Sequence, residues 1–261
     1  MHDGKKSKLR IVQISDFHSN DYGEHCEKIV NKVRELSPDV IFLTGDIFDF
    51  DRPQNKSVQN VKELLNGIKE LCPFYYVSGN HEYYRNHNDE YSFLIEEYGG
   101  VVLKNTAALF ITESGNVIVA GVDDPFADID GESRDKALDD RASYKKRLLL
   151  VKEKAELLKN EDTLFTVLLA HRPEYAEDYA ELGFDFVFSG HAHGGQWRFP
   201  GINGFYAPNQ GMFPEYAGGR YEFEREGART VMIVSRGLSY QSPRIPRIMN
   251  SPEIVVVDVN P

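Results

Sequence analysis

Apolar and polar positions along this chain follow two rhythms. The first segment, Leu9-Arg10-Ile11-Val12-Gln13-Ile14-Ser15, partly alternates and is rich in β-branched residues, which predicts a strand ending at Asp16-Phe17-His18. Between Glu24 and Leu36, apolar side chains return at Cys26, Ile29, Val30, Val33 and Leu36, a helical spacing closed by Ser37-Pro38. The run Val40-Ile41-Phe42-Leu43 enters Thr44-Gly45-Asp46 without a polar break, as a strand buried on both faces does. Val58, Val61, Leu64, Leu65 and Ile68 predict the next helix, and residues 73–77 a third strand running into Ser78-Gly79-Asn80-His81-Glu82. A short helix over 91–98 turns Phe93, Leu94 and Tyr98 inward.

The second half changes character. Strand candidates at 101–103, 107–112 and 117–121 follow one another without helices, which predicts antiparallel or edge pairing and a second region of sheet. Asp123-Asp124-Pro125 and the polar residues to Asp140 read as a surface loop, and their spacing is not that of an EF-hand calcium loop. Leu148, Val151, Ala155 and Leu158 predict a helix over 144–158. A buried strand at 164–170 stops at His171-Arg172, where Pro173 suits the first position of a helix. Another, at 184–189, ends in Gly190-His191-Ala192-His193-Gly194-Gly195-Gln196. Residues 197–221, rich in Gly, Pro and aromatic side chains, read as a long connection over the mouth of a site; strands at 230–235 and 253–257 close the chain. With no repeat and no linker, one domain is expected over 1–261.

Composition narrows the functional classes. Of 261 residues, 41% are hydrophobic and 27% charged, as in an ordinary globular chain. The net charge of −11 gives no average field drawing the chain to nucleic acid or an anionic membrane. Cys26 and Cys72 form no CxxC motif and no disulfide framework, so both are expected as reduced, half-buried thiols. No signal peptide and no run of about 18 apolar residues is visible, so a cytoplasmic location is expected, with peripheral membrane contact through the aromatic stretch left open.

Five predicted strands thus end in Asp16-x-His18, Gly45-Asp46, Asn80-His81, His171 and His191-x-His193. Taken singly, each is ordinary turn or cap chemistry. Together they hold five of the eight histidines at the edge where open α/β sheets bind ligands. In an extended segment Asp16 and His18 would point the same way, and an aspartate such as Asp46 can bridge two metal ions.

These motifs, in this order and over nearly the whole chain, resemble the calcineurin-like metallophosphoesterase superfamily, and within it a bacterial group of small phosphoesterases, some of which act on lipid-sugar nucleotides. The resemblance implies an αββα sandwich of two sheets and a dinuclear centre. One ion would take Asp16, His18, Asp46 and His193, the other Asp46, Asn80, His171 and His191. Such nitrogen and oxygen donors suit Mn first, with Fe, Zn or Ni as alternatives. By the same resemblance a metal-bridging hydroxide attacks a phosphodiester, phosphomonoester or pyrophosphate, and His81 protonates or stabilises the leaving oxygen. Asp49 either orients His81 or caps its own loop.

Protein phosphatases of the superfamily carry arginines where this chain has Phe50 and Ser78, so a small-molecule or lipid phosphoester is the expected partner. Arg172, Arg198 and Arg236 stand near the motifs as candidate phosphate holders or as surface side chains. Phe199, Phe205, Tyr206, Phe213 and Tyr216 could stack on a base or sugar, receive acyl chains, or pack a lid. A nuclease for short nucleic acid and a metal-stabilised interaction module are the alternative functions; no stable nucleic-acid partner is expected, and the oligomeric state is open.

Overall fold

Alternate residues of the strand Val40–Thr44 face two different cores. Val40 and Phe42 join a layer with Ile11, Tyr75, Val167, Leu169, Phe188 and Ile233, whereas Ile41 and Leu43 meet Ile29, Val33, Val61 and Leu65 of two helices. Burial on both faces explains the unbroken apolar run, and each such side chain contributes roughly 1.5–3 kcal/mol. The computed structural model describes residues 8–49, 54–83, 87–128, 141–225, 227–242 and 245–260; the basic N-terminal residues, Phe50 and the polar stretch 129–140 lie outside these.

The first sheet contains β1 (Leu9–Ile14), β2 (Val40–Thr44), β3 (Phe74–Val77) and β4 (Val101–Val102), all parallel, with the last strand of the chain antiparallel beside β1. β4 therefore extends the first sheet, where the sequence placed 101–103 in a second region. The second sheet begins with an antiparallel hairpin of β5 (Thr106–Thr112) and β6 (Gly115–Gly121), then adds β7 (Thr163–Leu169) and β8 (Phe186–Ser189) in parallel.

Within the long connection, β9 (Tyr206–Ala207) and β10 (Gly211–Met212) form a small hairpin. The connection ends in a strand the sequence reading missed, β11 (Gly219–Arg225), antiparallel to β12 (Ala228–Val234), which lies parallel to β8. β13 (Gln241–Ser242) pairs with β14 (Ile245–Pro246), and β15 (Val255–Val259), two residues later than expected, is the strand beside β1.

Helices Glu27–Leu36, Gln54–Ile68 and Asn88–Glu97 cover one outer face, and Arg141–Leu158 with Ala176–Glu181 the other. This makes four layers, α/β/β/α, as the resemblance implied. Among the described residues no helix is long and apolar enough to cross a membrane. Cys26 is fully buried and Cys72 half-buried; both are free.

The carboxyl ends of the two sheets are tied together from below. Gln13, at the end of β1, donates from Nε2 to Thr44 Oγ1 and to Ser189 O, both at 2.8 Å. Residues that leave the strands at this edge are thereby held over a single floor.

Candidate metal centre

The polar edge is built on left-handed backbone. Asp16 (φ 48°), His18 (47°), Asp46 (51°), His191 (65°) and His193 (47°) all have positive φ, a region costing roughly 1–2 kcal/mol for side chains other than glycine. The extended geometry expected for Asp16-x-His18 is therefore corrected: the chain curls there. It does so while Asp16 N donates to Gly45 O at 3.0 Å and His18 N to Asp46 O at 2.9 Å, so the two loops continue the pairing of β1 and β2 past the strands. Gly45, at φ 89°, lets the β2 loop lie against the second sheet; a Cβ there would be 2.5 Å from His171 Nδ1.

Among the described residues three groups of possible ligands result, one of them His18, Asp49 and His81; the other two form the main clusters. Asp16, His18, Asp46 and His193 bring ligand atoms within 4.8 Å of one another, and so do Asp46, His171 and His191; Asp46 belongs to both. All residues of these two clusters are buried. Asn80, beside them in the chain after Gly79, keeps a buried Oδ1 without a hydrogen-bond partner, and the same holds for His18 Nε2, His171 Nε2 and His193 Nδ1. Buried polar atoms left unpaired are rare in proteins; of these, His18 Nε2 and His171 Nε2 face Asp46 Oδ2 at 3.6 and 3.2 Å, and His193 turns its other nitrogen, Nε2, to Asp16 Oδ1 at 3.6 Å, an arrangement that fits a cation.

The orientation of His171 agrees. Its Nδ1 donates to Thr44 O at 2.8 Å, which leaves Nε2 as the ring atom facing Asp46 Oδ2 at 3.2 Å, the position that holds either a proton or, once that proton leaves, a cation.

Electrostatics sort the imidazoles. Burial, aided by neighbouring positive charge from His81, pushes His18 down to about 3, and His193 and His191 are likewise held well below the usual range by burial first. All three are thus neutral, the form that binds metal. For His171 burial acts the same way, but the Asp46 charge outweighs it and raises the ring to about 10. Burial lifts Asp16 to about 6, while the histidines around Asp46 overcome its burial and keep it well below the ordinary carboxylate range.

His81 stands beside these clusters, its ring edge-on to His18 at 4.3 Å. Its Nδ1 is 3.5 Å from Asp49 Oδ1. Burial opposes its charged form, but Asp46 and Asp49 prevail and raise it above the usual range.

Sequence reasoning left Glu82 without a role. It opens no pocket; instead its wholly buried carboxylate accepts four backbone amides. Oε1 takes Ile47 N at 2.7 Å and Phe48 N at 3.1 Å, and Oε2 takes Asp46 N at 3.0 Å and Gly79 N at 2.7 Å. Burial and the Asp46 charge push this carboxyl up to about 7, whereas four amides facing it favour the charged form; with both oxygens fully used by donors, no lone pair is left for a proton. Glu82 therefore stitches the β2 loop to the β3 loop. The one available signal was a glutamate directly after the Asn-His pair at a strand end.

Asp124 is also misread by the sequence. It is buried, not in a solvated loop, and grips Arg172 through Nε at 2.6 Å and Nη2 at 3.0 Å. Arg172 is consequently neither a surface arginine nor free for phosphate. Arg198 donates to Gly194 O and Asn203, and Arg236 is held by Glu253. Of the aromatic stretch, Phe199, Tyr206 and Phe213 are exposed, while Trp197 stacks on Phe205 at 5.3 Å.

The two-sheet α/β sandwich thus carries, at one edge, a carboxylate common to two histidine-bearing clusters. Residues 9–195 match the calcineurin-like phosphoesterase family, and the chain belongs to it. It is 30% identical over 256 residues to an uncharacterized metallophosphoesterase of Campylobacter jejuni, covering 97% of this chain and 60% of that protein, less than two thirds of its length. An uncharacterized metallophosphoesterase of Aquifex aeolicus is 29% identical, with 98% of this chain and 86% of the relative covered.

Solved structures share the fold. The NAD nucleotidase of Haemophilus influenzae superposes with a TM-score of 0.53 at 15% identity, covering 88% of this chain and 45% of the other. The sulfate thiohydrolase SoxB of Thermus thermophilus gives 0.55 at 10% identity, covering 97% and 56%.

Proposed function

We propose that this chain hydrolyses a phosphodiester, phosphomonoester or pyrophosphate of a small molecule or lipid headgroup at a two-metal centre. The observation that carries the reading is Asp46, buried and common to both clusters. One ion would be held by Asp16, His18, Asp46 and His193, and the other by Asp46, Asn80, His171 and His191, with Mn favoured by the mixture of imidazole, amide and carboxylate donors. A pair of divalent ions supplies, when bound, a hydroxide nucleophile near neutral pH and neutralises the phosphoryl oxygens.

The chain's own residues do the rest. His81, whose charged form Asp46 and Asp49 favour against burial, gives its proton to the departing oxygen. Asp49 keeps that ring turned toward the clusters.

The test is hydrolysis of the mono- and bis-esters of p-nitrophenyl phosphate with Mn added, together with a metal count. Turnover of either ester with two ions per chain is expected. A protein that binds no metal and stays inactive with Mn, Fe, Zn and Ni would overturn the proposal. In the same assay His81→Ala should keep both ions and lose about 10²–10⁴-fold in kcat, the range for a general acid. Undiminished kcat would remove His81 from the chemistry.

The pair His171 and Asp46 also sets a pH dependence. Between Nε2 and Oδ2, 3.2 Å apart, lies either a proton or a cation. The proton is retained up to about pH 10, so a metal must displace it below that value, and affinity should rise with pH and flatten only near 10. From pH 6.5 to 8.5 the expected slope reaches about tenfold per unit for this proton. Chelator-competition titrations check it; an affinity independent of pH over that range would show that no such proton is displaced.

A further inference from the structure

Asn209 lies in the turn between β9 and β10, in the stretch that the sequence marked only as a covering connection, and its own backbone is left-handed at φ 60°. The identity of its amide oxygen follows from chemistry. Arg172 Nη1 lies 2.7 Å from Oδ1, and because a guanidinium can only donate, that atom must be the acceptor. His191 Nε2 is 2.8 Å from the same oxygen. It too must donate, so Nε2 carries the hydrogen and Nδ1 keeps its lone pair.

The arrangement is anchored behind Asn209. Arg172 is clamped by both oxygens of Asp124, its carbonyl accepts Tyr179 OH at 2.7 Å, and its guanidinium lies 4.7 Å over the Phe126 ring. Arg172, Asp124 and Tyr179 are each at most 1% exposed. At the front, His191 N donates to Asp16 at 2.9 Å, so the backbone of this histidine is fixed while Asn209 fixes its ring.

We propose that Asn209 is a positioning residue: by accepting from Nε2 it locks His191 in the tautomer that offers Nδ1 to the metal shared with Asp46 and His171. This rests on the two-metal reading above. It also assigns Asp124 and Arg172 a common role, holding Asn209 rather than touching substrate, and it makes the β9–β10 turn part of the centre and not merely its cover.

The experiment uses Asn209→Gly, which accepts the left-handed backbone without strain, and Asn209→Asp, which keeps an oxygen for the same two donors. Nitrogen-15 NMR of the metal-free protein should find His191 protonated on Nε2 in the wild type and in Asn209→Asp, and a mixture of tautomers in Asn209→Gly. In Zn titrations against a chromophoric chelator, the wild type should take two equivalents. Asn209→Gly should weaken one of them about 10–100-fold and leave the other within about threefold, with Asn209→Asp restoring both.

An unchanged tautomer, or two equivalents bound as tightly in Asn209→Gly as in the wild type, would overturn the proposal. So would failure of Asn209→Asp to restore the weakened site. A wild type that binds fewer than two ions would instead defeat the dinuclear reading, and the metal-free NMR result would still decide the role of Asn209.

Discussion

Asp46→Asn is expected to lose both ions in dialysis and to fall by more than about 10³-fold in kcat/KM, since even a residue that merely orients a ligand is worth about 10–100-fold in metal affinity. Oδ2 of Asp46 faces His171 Nε2 at 3.2 Å and His18 Nε2 at 3.6 Å, one from each cluster. Oδ1 accepts His81 N at 2.9 Å. An asparagine must point its NH2 one way or the other. Turned outward, it presents hydrogens to both clusters; turned inward, it sets a donor against His81 N and leaves only an uncharged oxygen where the carboxylate stood. Metal analysis beside turnover distinguishes this from His81→Ala, which should keep its ions. A variant that retained two ions per chain would show that Asp46 is not shared between them.

Glu82→Gln should be the most damaging conservative change for stability. One carboxylate oxygen becomes an NH2, so two of the four amide donors lose their acceptor and meet another donor. Each stranded buried N–H costs about 1–3 kcal/mol, which makes about 2–6 kcal/mol in all. For a chain of this size, thermal unfolding should come lower by about 2–4 °C for each kcal/mol. The loss should be larger for Glu82→Gln than its shape suggests, because the two side chains are nearly isosteric. Metal binding should weaken as well, since the Glu82 amides belong to Asp46, Ile47, Phe48 and Gly79, the loops that carry the clusters. A melting temperature equal to the wild type would mean that these four contacts contribute little.

The five strand ends were legible because central parallel strands are apolar on both faces, and the polar residue that interrupts such a run marks the carboxyl edge. Thus β2 and Asp46, β7 and His171, and β8 with His191 and His193 could be read from the pattern alone. β11 could not be read so easily. As an edge strand it alternates Arg220, Glu222 and Glu224 with Tyr221 and Phe223, and its charges discourage pairing with other chains. Its charged face was taken for loop.

What remained hidden is the geometry between motifs. Nothing in the spacing of Asp124, Arg172 and Asn209 announces that they meet, because three segments distant in sequence are brought together only by folding. The same holds for Glu82, whose partners are backbone amides and leave no side-chain pattern to find. Curled backbone at Asp16 and His18 was hidden for a different reason: neither residue is glycine, the usual marker of positive φ.

That curled backbone has an evolutionary corollary. At Asp16, His18, Asp46, His191 and His193, glycine would suit the conformation better than the residue present. Mutation alone would drift such positions toward glycine or asparagine and relieve local strain, and a lineage released from its chemistry would have no reason to resist. On the two-metal reading, aspartate or histidine at all five exchanges some firmness of folding for the ligands those side chains supply.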